Sequence, residues 1–270
     1  MNGLGPVGHV IVDVVVCVGM LVVLPVALPL IHRPVPLIHR PVPYWYAGAL
    51  PAAVSLWLPR GWPAAALAVP YLLVALALVP AALAGRSLAV ATALVSPTVA
   101  ASALVAERAG HRLFGFELDV LALTVAHFHY AGFVAALVAA LVSGPPGSGV
   151  AGRLAAWSVP AGIGVVFVGF FTAEAVELAG AVILTAGMWL TGWLSWRVAS
   201  ADAVVRVLLR VSALVLVATM LLALSWAVGE ATGLPYPSLP WMAATHGLAN
   251  AFGFGLCAVF AWRRLKGRPA

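Results

Sequence analysis

Charge is what this chain has least of. Of its 270 residues only 8% are charged, against 64% hydrophobic, and the mean hydropathy is +1.09. A soluble domain of this length carries about a quarter charged residues, so water is not its main solvent. Acids are scarcer still, eight in all against 14 Lys and Arg. Cysteine is limited to Cys17 and Cys257, both inside apolar stretches, which excludes a disulfide framework or a zinc pair. No DDxxD run is present, so ionisation of a diphosphate through clustered Mg²⁺ is excluded. The first apolar run lacks a basic start and is expected to be a retained helix rather than a cleaved signal. The basic residues stand singly or in pairs between apolar segments, with no basic face for a polynucleotide, so no nucleic-acid partner is expected.

What the chain does have is continuous apolar sequence. In hydrocarbon every backbone N–H and C=O must be satisfied internally, leaving helices or closed barrels. Barrel strands alternate apolar and polar residues, whereas these stretches run unbroken for about the 20 residues a spanning helix needs. The fold class is therefore all-α, a polytopic transmembrane helix bundle of 8–9 spans forming a single multi-pass domain, 1–270, in the cell membrane. Nine spans are read, at about 8–30, 43–59, 63–84, 87–106, 117–143, 154–172, 173–197, 205–228 and 241–262. The second is short and holds Pro51, so it is expected to be tilted, broken or re-entrant. The sixth and seventh nearly touch.

Nine spans with the N-terminus outside place Arg33, Arg40, Arg86, Arg153, Arg197, Arg206, Arg210, Arg263, Arg264, Lys266 and Arg268 inside. Only Arg60, Arg108 and Arg112 fall outside, and that asymmetry predicts a C-terminus inside. Residues 30–43 are a tandem repeat, LIHRPVP twice, whose prolines forbid a regular helix. It reads as an extended connector from a duplication, or as a grip on an anionic group through His32, Arg33, His39 and Arg40.

An ionisable residue in the bilayer costs several kcal/mol, so each needs a reason. His9 and Asp13 lie four apart on one face of the first span, either a hidden hydrogen bond or a polarised acid/base pair. The fifth span is the most polar. Glu117, Thr124 and His127 fall on one side, Asp119, His129, Tyr130 and Phe133 on the other, so this helix is expected to be ringed by protein. His127 and His129 point too far apart to ligate one metal. The seventh span aligns Glu174, Glu177, Ala181, Thr185, Met188 and Ser195, with Trp189, Trp193 and Trp196 beside them. Two glutamates three apart repel if both ionise, so one needs a proton or a cationic partner, unless the pair is simply hydrated at a helix mouth. Glu107 and Glu230 read as residues of outer loops. In the ninth span His246, Asn250 and Gly253 share a face, as a site or as interhelical glue.

Two of these stretches, TVAHFHYAGF (124–133) and THGLANAFGF (245–254), resemble the YndJ-like family of bacterial integral membrane proteins. The resemblance implies a fold and a site position, and transport as the commonly attached label. In architecture and acid placement, without a shared motif, the chain is also similar to small integral-membrane terpene cyclases that close a prenyl chain carried on another nucleus.

Three functions follow. The first is a membrane cyclase or isomerase acting on a lipophilic prenylated substrate. A buried acid among Asp13, Glu174 and Glu177 would protonate the substrate, His127, His129 and Tyr130 would assist, and aromatic faces would steady the cation. His9, Glu117, Asp119, Trp189, Trp193, His246 and Asn250 would bind the substrate, and no cofactor or metal is required. Trp45, Trp57, Trp62, Trp241 and Trp262 read as interfacial belts, Trp157, Trp196 and Trp226 as further lining. The second function is a proton-coupled transporter or small-solute channel using the same groups as a relay. The third is a haem or metal protein on His9, His127, His129 and His246, although no CxxCH or HExxH motif accompanies them.

Overall fold

The structure is a computed structural model that describes residues 3–31, 41–85, 87–144 and 148–267. Among these, every regular element is helical. In chain order they are α1 (Gly5–Leu30), α2 (Pro41–Ser55), α3 (Trp62–Leu83), α4 (Leu88–Arg108), α5 (Leu118–Ser143), α6 (Gly149–Gly169), α7 (Glu174–Trp196), α8 (Ala203–Thr232) and α9 (Leu239–Lys266). All but α2 are long and apolar enough to cross a membrane, eight among the described residues, the build of a multi-pass membrane protein. The expected second span is the exception. Fifteen residues give α2 about 22 Å of rise against about 30 Å of hydrocarbon. The uncertain boundary after the sixth expected span resolves as a turn at 170–173 between α6 and α7. His32, Arg33, His39 and Arg40 of the repeat, and Arg86 and Arg268, lie outside the described residues.

The chain packs as two compact units, Gly3–Arg86 with Val90–Val134, and Ser87–Ala89 with Ala135–Ala270. In the first unit α1 is not uniform. A π-helical turn at Gly19–Val23 sends the Leu24 N–H five residues back to the Gly19 carbonyl. Pro25 follows and has no N–H, so Met20 and Leu21 lose amide partners they would otherwise use. Side chains of α2 replace them. The Trp45 indole donates to the Met20 carbonyl at 2.7 Å and the Tyr46 hydroxyl to the Leu21 carbonyl at 2.9 Å. Trp45, read as part of an interfacial belt, is therefore fully buried, because its N–H satisfies a carbonyl exposed by α1's own irregularity. Trp262, assigned to the same belt, is also buried, while Trp57, Trp62 and Trp241 are exposed.

In the second unit α6 lies close against α7. A methyl group on Gly162 would stand 2.6 Å from the Leu184 backbone, so only a missing side chain permits the approach. Asp202 caps the start of α8 by accepting from the Val204 N–H and pairs with Arg264 of α9. Gly233 ends α8 with φ +74°, a left-handed cap open to glycine at no steric penalty.

Candidate functional site

The first unit holds four of the eight acids and every described histidine except His246. Its consecutive helices alternate in direction, so the starts of α1, α3 and α5 share one end with the finishes of α2 and α4. There His9 Nε2 stands 3.2 Å from Asp119 Oδ1, and the Leu4 N–H donates to Asp119 at 2.9 Å. His9 thus pairs with Asp119 and not, as its spacing led us to expect, with Asp13. The carboxylate sits at the positive end of α1 and collects both the amide and the imidazole.

Asp13 lies one turn deeper, about 12 Å from the start of α1 at 1.5 Å per residue. It lines a cavity of about 10 Å³ with Glu107, Val12, Val16, Leu56, Leu104, Ala122 and Val125. That is room for about one water. Across the cavity, Glu107 is buried and bound by two arginines, accepting from Arg60 Nε at 2.7 Å and from the Arg108 guanidinium through both oxygens. Arg108, buried too, also donates to the carbonyls of Leu56 and Ser55 at 3.1 and 3.3 Å. It thereby closes the end of α2, where a helix leaves carbonyls without amide partners. Asp13 is within electrostatic reach of Arg108, Glu107, His9 and Arg60. Glu107 had been read as filling a loop. The adjacent Glu–Arg at the end of an apolar span was the available signal, since a charge pair at that depth needs mutual support.

Deeper still, π-helical turns of α1 and α5 meet. The α5 turn, Phe128–Val134, lays the fully buried His129 ring against Gly19, where a methyl group would stand 3.0 Å from the imidazole. His129 Nδ1 is 2.6 Å from the Val125 carbonyl and Nε2 is 2.6 Å from the Tyr71 hydroxyl. A carbonyl only accepts, so Nδ1 carries the hydrogen, and in a neutral ring Nε2 accepts from Tyr71. Tyr130 donates to the Val15 carbonyl at 3.0 Å. Tyr71 was missed in the sequence. A lone tyrosine inside an apolar span marks a hydroxyl that must find a partner.

Two expectations about α5 are corrected. Glu117 stands at its mouth, exposed and paired with Arg112 at 2.8 Å. His127 is exposed, its Nδ1 donating to the Leu123 carbonyl at 2.9 Å, so protein rings α5 on the His129 side rather than all round.

In the second unit Glu174 and Glu177 open α7, with Glu174 exposed and Glu177 partly buried. Glu230, near the end of α8, joins them electrostatically. A separate ring of hydrogen bonds joins α8 to α9. His246 Nδ1 donates to the Thr219 carbonyl at 2.9 Å, Asn250 donates to His246 Nε2 at 3.2 Å, and the Thr219 hydroxyl donates to Asn250 Oδ1 at 3.0 Å. The expected aromatic lining is turned outward: Trp157, Trp189, Trp193 and Trp196 are 64, 39, 48 and 45% exposed. The acids thus divide between units, Asp13 in the first and Glu174 with Glu177 in the second. Among the described residues no three His, Cys, Asp or Glu side chains converge as a metal ion requires.

Both sequence motifs noted above overlie π-helical turns, at Phe128–Val134 in α5 and at Ala243–Gly247 and Ala249–Leu256 in α9. Such turns recur at functional positions in helices. Compared with known proteins, residues 14–254 match the family model described as YndJ-like protein. No curated protein and no solved structure matches the chain.

Proposed function

The chain belongs to the YndJ-like family, and we propose that it is a proton-coupled membrane transporter of a small solute whose proton path runs through its first unit. One observation carries this reading: Asp13 faces Glu107 across a cavity that takes about one water. Two arginines already balance Glu107, so Asp13 is the carboxyl whose charge an arriving proton would set. His9 and Asp119 stand nearer the end of the helices and deliver the proton. His129 and Tyr71 lie deeper, and protonation of His129 Nε2 would turn that nitrogen from acceptor to donor and reverse its hydrogen bond with the Tyr71 hydroxyl.

We place the protein in the cell membrane with its N-terminus outside and its C-terminus inside, supported by the excess of Lys and Arg in inner segments. The test is proton uptake into proteoliposomes carrying an internal pH dye. Asp13→Asn is expected to lower the rate at least about a hundredfold, the lower end of what positioned proton transfer contributes. Wild-type uptake by this variant would sink the reading.

Cyclisation of a prenylated lipid is a second reading, supported by the walls around the Asp13 carboxyl, which apart from Glu107 are apolar. It requires the cavity to widen towards the several hundred Å³ of a small-molecule pocket. A product of unchanged mass with one fewer carbon–carbon double bond for each ring closed, formed by the wild type and lost in Asp13→Asn, would favour it over transport.

A further inference from the structure

Consecutive helices α6 to α9 pack side by side and are joined by short turns, so α6 starts, α7 ends, α8 starts and α9 ends at one end of the second unit. That end carries Arg153, Arg197, Arg206, Arg210, Arg263, Arg264 and Lys266 against one acid, Asp202. Arg264 pairs with Asp202, and Arg206 donates to the carbonyls of Ser200 and Ala201, both at 2.8 Å. Two guanidiniums are held differently. Arg197 lies 4.7 Å from the ring centre of Trp193, and Arg210 of the neighbouring helix lies 5.2 Å from that of Trp196. Trp193 and Trp196 are three residues apart, hence neighbours on one face of α7. Their indoles therefore hold one cation from the end of α7 and one from α8, while the carboxylate at this end is engaged with Arg264.

We propose that Arg197 and Arg210 form a binding site for the phosphate of an anionic phospholipid headgroup. Planar guanidinium forks held on neighbouring indoles suit phosphate oxygens, and the surrounding excess of cations disfavours a zwitterionic headgroup bearing its own positive charge. A lipid fits better than a dissolved anion because both indoles are exposed, and Val204 and Val207 on the first turns of α8 are 48 and 58% exposed. Apolar surface meets cationic surface here, as it does where acyl chains meet headgroups.

The test is lipid retention by native mass spectrometry after passage through nanodiscs of equal phosphatidylglycerol and phosphatidylcholine. The wild type is expected to retain phosphatidylglycerol over phosphatidylcholine, and Arg197→Gln/Arg210→Gln to lose that preference by roughly tenfold. Arg197→Lys/Arg210→Lys keeps the charge without the forks and is expected to fall between them. The wild-type comparison requires no variant to fold. Equal retention of the two lipids overturns the proposal, as does a preference left intact in the glutamine variant. Protection of the wild type from thermal unfolding by millimolar inorganic phosphate as strong as that by phosphatidylglycerol also overturns it, because the ligand is then a dissolved anion.

Discussion

The side chains that matter in the first unit are those whose polar atoms have nowhere else to go. His129 shows this most plainly. Both its nitrogens are engaged, one by the Val125 carbonyl and one by Tyr71, in a position with no exposure. Tyr71→Phe would leave Nε2 buried without a donor and is expected to destabilise the protein by about 1–3 kcal/mol, read as a lowered midpoint in detergent denaturation. An unchanged midpoint would mean that water reaches the ring. Asp13, Asp119, His129 and Tyr130 were legible in the sequence because ionisable or hydroxyl groups within apolar runs announce themselves. Their partners were not. His9 shares a helical face with Asp13 yet bonds Asp119, and Glu107 reaches Arg60, 47 residues away. Spacing along one helix says what lies above what on that helix, and nothing about which neighbour arrives from another.

At the level of elements, the first four turns of α1 follow ordinary helical spacing, which the turn at Gly19–Val23 then interrupts. Pro25 removes an amide, the Gly19–Val23 turn widens, and Trp45 of α2 donates to the carbonyl left behind. That dependence is measurable as a coupling. Trp45→Phe is expected to lower stability by about 1–3 kcal/mol in the wild type. In a Pro25→Ala background, where the backbone regains its amide, the same change is expected to have a clearly smaller effect. Equal effects in the two backgrounds would disconnect Trp45 from the proline. Helix positions were legible from apolar run lengths. The π-helical turns were not, since residue composition registers a hydrophobic face but not a backbone register wider by one residue.

For the whole molecule, the number of crossings decides which compartments the two ends face. Eight crossings bring both termini to one side, and nine separate them, so the answer rests on α2, whose fifteen residues fall short of a full span. Reporter fusions after Ala270 and ahead of Met1 are expected to fall in opposite compartments, with the C-terminal one cytoplasmic. Reporters in the same compartment would make α2 re-entrant and remove the inside–outside assignment. The helical, multi-pass architecture could be read from hydropathy alone, because hydrocarbon permits so few alternatives. The division into two units could not, as it depends on which faces of similar apolar helices choose each other.

The depth of Asp13 has an electrical consequence. With the start of α1 taken as the edge of the hydrocarbon, a proton that reaches Asp13 from its own end of the helices would travel about 12 Å of a layer about 30 Å thick, or about two-fifths of the way. A full crossing changes the energy of a unit charge by about 2.3 kcal/mol per 100 mV, so this partial journey contributes about 0.9 kcal/mol. In an energised cell each 100 mV of membrane potential would therefore shift the occupancy of that carboxyl about as much as two-thirds of a unit in external acidity.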